Sequence, residues 1–128
     1  MTAVIYPSAK KLFLDGDLDL LVDTIKVALV DTGVYTYSSA HDFYNDVSAG
    51  VVGTPGTLDN KTTTAGVFDA DDEVLTSVSG ATVEAVLIYK DTGNPATSPV
   101  IAFVDDLTLT PNGDNVTVRF NASGIFAI

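Results

Sequence analysis

"VFDADDEVLTSVSGATVEAVLIYKD", Val67–Asp91, holds the two features on which the fold and the chemistry of this chain turn. Its second part, "ATVEAVLIYKD", is a run of β-branched, aliphatic and aromatic residues bounded by Gly80 and by Asp91-Thr92-Gly93. That is the composition of a strand. Its first part sets Asp69, Asp71, Asp72 and Glu73 within five residues. Such a cluster is either a metal or catalytic site or a hydrated turn between two strands.

The same texture continues on both sides. "KTTTAGVFDA", "EVLTSVSG", "SPVIAFVDD", "NVTVRFN" and "GIFAI" are short segments rich in Val, Ile, Thr and aromatics, separated by Gly, Pro, Asn and Asp. "DTGNPATSP" and "DDLTLTPNGDN" between them carry strong turn chemistry. In "NVTVRF", Val116, Val118 and Phe120 point to one side and Thr117 and Arg119 to the other, so one face packs and one stays wet. Upstream, "DTIKVALVD" at Asp23–Asp31 has two largely apolar rows, as a central strand requires.

Two short helices are expected in the N-terminal half. "SAKKLFLDG" has Ser8 to cap its start, Ala9, Leu12 and Phe13 on one face, and Gly16 at its end. "SSAHDFYNDV", Ser38–Val47, places Ser39 and Asp42 in capping-box spacing. The stretch "SAGVVGTPGTLDNK" reads as an exposed loop or edge excursion. Six to eight strands with short connections pair antiparallel. The expectation is a single mainly β domain over residues 1–128, an antiparallel sandwich or partly closed barrel with one or two short helices.

Composition narrows the function. Seventeen acids against six bases give a net charge of −11, which repels nucleic acid and anionic membranes. With 46 % apolar residues the chain is not a disordered acidic tail. No cysteine is present, so disulfides, thiolate metal sites and a cysteine nucleophile are excluded. The start "MTAVIYPSAKKLFLDG" has its basic pair after a short apolar patch, the reverse of a secretory signal. No apolar run approaches the roughly 20 residues that span a bilayer. Synthesis in the cytoplasm is expected.

The acid cluster fails the EF-hand pattern. Counted from Asp69, the sixth position is Val74 and the twelfth Gly80, where Gly and Glu are needed. "DGDLD" at Asp15, Asp17 and Asp19 fails likewise, with Leu20 and Lys26 at those positions. A looser calcium site on Asp69, Asp71, Asp72 and Glu73 stays open beside the plainer reading of a solvated turn or bulge. The lone His41 excludes a multi-histidine metal site and reads as a surface helix residue. No G-x-S-x-G elbow occurs, and "GVVGTPG" lacks the Lys-Ser/Thr of a phosphate loop. Paired carboxylates can be drawn on paper from any seventeen acids, so they do not signal a glycosidase. No enzyme and no cofactor is expected.

The aromatics in "GVYTYSSAHDFY" suggest packing plus an interface instead. Tyr35, Tyr37, Phe43 and Tyr44, with the loop Val51–Leu58, form the candidate contact surface, and Val4, Ile5 and Tyr6 a candidate arm onto a neighbour.

The phrases "DTIKVALVDTGVYTYSSAHDFYNDV", "KTTTAGVFDADDEVLTSVSGATVEAVLIYKDTGNPATSPVIAFVDD" and "LTPNGDNVTVRF" resemble a family of small tailed-phage and prophage structural proteins, nearly end to end. The resemblance implies a non-catalytic virion component. Its first implied role is capsid decoration, or cement, bound to the major capsid protein and to its own copies as a symmetric oligomer such as a trimer. The second is a tail or fibre component binding a host receptor or glycan. The turn "DDLTLTPNG" and the C-terminal "FNASGIFAI" are where this chain departs from that pattern.

Overall fold

A computed structural model describes residues 2–105 and 107–128. The chain is mainly β, and its centre is a five-stranded antiparallel sheet. In chain order, the elements are β1 (Thr2–Ile5), α1 (Pro7–Asp15), β2 (Ile25–Val30), β3 (Val51–Thr57), β4 (Val67–Phe68), β5 (Glu73–Leu75), β6 (Ala85–Lys90), β7 (Val100–Asp105), β8 (Val116–Val118) and β9 (Phe126–Ala127). The main sheet runs β1-β7-β6-β2-β3, while β4 pairs with β9 and β5 with β8 as two small ribbons. The sheet is open at β1 and β3, so the barrel alternative does not form and the sandwich-like one does.

β6 and β7 are buried along almost their whole length, on both faces. Register explains why. Leu29, Val86, Val104 and Ala3 lie in one row across the sheet and share a face. Val118 and the segments from Leu107 to Ile125 cover that face. The opposite face carries Phe103 and Tyr89. Tyr35 and Tyr37 lie over Phe103, each with ring centres 5.7 Å away, and Tyr44 meets Tyr89 edge-on at 4.3 Å. A strand sandwiched this way must be apolar at every position, and "AVLIY" and "VIAFV" are.

α1 begins one residue before the expected Ser8. Pro7 occupies its first turn with φ already set, and Tyr6 stands at the cap. Gly16 ends it as foreseen, left-handed at φ 77°, while the Asp17 N–H donates to the Leu12 carbonyl at 2.8 Å.

The second expected helix is absent. Residues 44–46 and 48–50 form single 3-10 turns, preceded by extended Phe43. The backbone there is engaged sideways with the entry to β7: Tyr44 N–H donates to the Ser98 carbonyl at 2.8 Å, and Val100 N–H to that of Asp42 at 3.0 Å. The capping acid is Asp46, whose carboxylate accepts from the N–H groups of Asp42 and Phe43, not Asp42 itself. His41 accordingly lies on no helix.

The stretch read as a loop or edge excursion contains β3, an edge strand. Between Val27 and Leu29 of β2 the partner jumps from Gly56 to Val52, a bulge that absorbs Gly53 and Pro55. An edge strand tolerates the missing Pro55 N–H. Val4 and Ile5, expected with Tyr6 as an arm onto a neighbour, belong to the opposite edge strand, paired with β7 from Thr2↔Asp105 to Ile5↔Ala102. No helix among the described residues is long and apolar enough to cross a membrane.

Candidate functional site

The aromatic segment is largely interior. Tyr6 is fully buried and Tyr35 is 4 % exposed, so neither offers a contact surface. Their hydroxyls are 2.8 Å apart, and that of Tyr35 is 2.8 Å from Nδ1 of His41. With Nδ1 unprotonated, Tyr35 donates to it and Tyr6 donates to Tyr35. Burial pushes both phenols up from their ordinary pKa. Tyr37 stacks between Tyr6 and Phe103. Tyr37, Phe43 and Tyr44 remain half-buried, as does Ile5, whereas Val4 is exposed on the edge strand. The cluster cements the 31–50 segment to the sheet, and only its rim meets solvent.

The acid cluster lies on the connection from β4 into β5, with Asp69 bridged to Thr62. Asp69 accepts the N–H of Ala70, Asp71 accepts from the Asn60 side chain, and Asp72 accepts the Phe120 N–H at 2.8 Å. Glu73 opens β5 beside Gly56; burial, and then the nearby Asp59, pushes its carboxyl up. Asp69 and Asp71 bond within the 59–73 region, and Asp72 ties that region to the C-terminal segment. Among the described residues no three His, Cys, Asp or Glu gather to hold a metal ion.

A different surface emerges at the end of α1. The sequence "DLDLLVD" folds as a turn held by its own acids. Asp19 accepts from the N–H groups of Leu21 (3.0 Å) and Val22 (3.2 Å), and Asp23 accepts the Asp19 N–H at 2.9 Å. Leu18 and Leu20 point inward, 7 % and 8 % exposed. The turn leaves Leu21 at 50 % and Val22 at 79 %. Beside it Phe13, Leu18, Leu21, Phe68, Phe126 and Ile128 line a groove of about 440 Å³. Phe68 and Phe126 stack at 5.3 Å and fix its β4–β9 wall, and the Ile128 N–H donates to the Gly66 carbonyl at 3.0 Å. Ile128 of its lining is 70 % exposed, and Leu14, next to Phe13 on α1, is 88 % exposed.

Four of the seven large exposed apolar side chains among the described residues belong to this region. The reading from sequence missed it. The available signal was Leu20-Leu21-Val22, an apolar triplet at a turn, where an alternating pattern can bury only part.

No protein-family model matches the chain, and no curated protein sequence matches it.

Proposed function

We propose that this protein is a non-catalytic structural component of a tailed-phage particle, seated on the outside of the head shell as a decoration protein. The observation that carries the reading is the groove at the end of α1 with its exposed Leu21 and Ile128. A contiguous apolar surface on an otherwise acidic domain marks a place where another macromolecule sits. The groove walls are a helix end, a turn held by side-chain hydrogen bonds and a stacked ribbon, so the surface is preformed and little is lost on ordering it. The resemblance of the long sequence phrases to virion structural proteins supplies the partner, the major capsid protein.

In this reading the protein binds as a small homo-oligomer, such as a trimer, around a local symmetry axis of the shell. Repetition over many equivalent sites then makes a modest contact durable. The experiment is addition of purified protein to undecorated heads, followed by sedimentation and cryo-EM of the particles. Regular density on the shell exterior, with heads surviving higher temperature, is the expected result. Density on the tail, or binding only to host-surface sugars, overturns the head assignment.

A further inference from the structure

We infer that the groove beside α1 accepts a segment of a different protein that carries aliphatic side chains interleaved with Lys or Arg, and that it is not a contact between copies of this chain. The inference rests on the groove being a docking face and names what docks there.

The floor sets one half of the requirement. Phe13, Leu18, Phe68 and Phe126 offer only apolar surface, and the rim adds Leu21 and Ile128. An aliphatic side chain set against these residues displaces water from apolar surface, away from the polar Thr63 and Asp19 of the lining.

The rim sets the other half. Asp19 lines the groove itself, and Asp15 and Asp17 flank Gly16, which also lines it. Lys11 pairs with Asp15. Among the described residues Asp17 and Asp19 have no ion-pair partner. Asp19 spends its carboxylate on neutral N–H groups, which leaves its charge uncompensated. Lys26, the next basic residue downstream, pairs with Asp91, and Lys61 is turned toward the Asp23 carbonyl. An incoming cation beside an aliphatic anchor therefore finds acceptors at the lip.

The same charges argue against a second copy. A two-fold contact brings the acidic lip near its own copy, and a trimer sets it against another face of a chain with seventeen acids to six bases. Like charges brought together and desolvated oppose such a contact. An anionic lipid surface is disfavoured for the same reason. Any self-assembly of the protein uses other faces.

The test uses the full chain and three labelled octapeptides, alternating Leu/Lys, Ser/Lys and Leu/Glu, followed by fluorescence anisotropy and amide NMR shifts. The Leu/Lys peptide is expected to bind at least tenfold tighter than the other two, with shifts confined to residues 13–21, 63–68 and 126–128. The double variant Leu21→Ser/Val22→Ser lowers its affinity about tenfold. Asp17→Asn lowers it severalfold and flattens its salt dependence, whereas Asp114→Asn, distant in sequence, leaves it unchanged. Unaltered urea midpoints show that the variants fold.

Equal binding of Ser/Lys, equal weakening by Asp114→Asn, or shifts elsewhere overturns the inference, since each reports only general attraction to an acidic protein. So does a self-associated form that Leu21→Ser/Val22→Ser dissolves. Peptide binding without head binding overturns the phage-shell reading alone. Head binding indifferent to the groove variants overturns this inference alone.

Discussion

The Tyr6 hydroxyl has one hydrogen-bond partner among the described residues, Tyr35, while that of Tyr35 has two, Tyr6 and His41. The two phenols are therefore not equivalent. Tyr6→Phe leaves Tyr35 still bonded to His41 and is expected to cost about 1 kcal/mol. Tyr35→Phe strands the hydroxyl of a fully buried Tyr6 and is expected to cost about 2–3 kcal/mol. Urea unfolding of the two variants checks the order. A second residue-scale expectation concerns acid. Asp91 sits 2.9 Å from Lys26, and that bond, with a further one from the Gly93 N–H, holds its carboxyl below the usual range. Asp46 is held down in the same way by the Asp42 N–H first. A folded-state pKa below the unfolded value of about 4 means the stabilisation is complete above that pH and is lost as pH falls through the depressed value. Asp91→Asn is thus expected to lower stability at pH 7 by about 1 kcal/mol or less, and to flatten the decline below pH 4. Denaturation at pH 7 and pH 3 measures both.

β3 and β5 meet through a glycine, and that meeting holds the β5–β8 ribbon against the sheet. A Cβ on Gly56 would lie 2.6 Å from Glu73 Cγ and 2.7 Å from Leu75 Cδ2. Leu75 is 2 % exposed and has nowhere to go. Gly56→Ala is expected to cost about 1–3 kcal/mol, read as a lower thermal midpoint, with fastest amide exchange in β5 and β8. The elements differ in how plainly the sequence announced them. β2, β6 and β7 were legible because burial on both faces demands unbroken apolar text, and all six downstream segments contain or become strands or ribbons where expected. β3 was obscured because "VGTPGT" spells a turn, and only its position at a bulged edge lets Gly and Pro serve as strand. β1 was obscured by brevity, since four residues before Pro7 cannot show a period. The second helix failed because local capping spacing was outvoted by hydrogen bonds to residues 98–100, which are remote in sequence. The site was less legible than the fold. The aromatics were visible but their burial was not, and the groove is assembled from α1, the 18–22 turn, β4 and β9, which no linear motif joins.

For the molecule as a whole, stability and attachment are separable. Leu21 and Val22 lie outside the core, so Leu21→Ser/Val22→Ser is expected to change stability by no more than about 0.5 kcal/mol while abolishing cosedimentation with undecorated heads. Core substitutions such as Tyr35→Phe are expected to do the converse, lowering the melting point and leaving attachment intact at low temperature. The pairing of β1 with β7 carries one more consequence. Thr2 lies opposite Asp105, so β1 has no mate until the chain has been made through β7. At roughly 5–20 residues per second, the nascent chain waits on the order of 10 s with that edge of the future sheet unclosed. Closure of that edge is tied to the synthesis of β7, and a product ending before β7 has no template on which to seat β1.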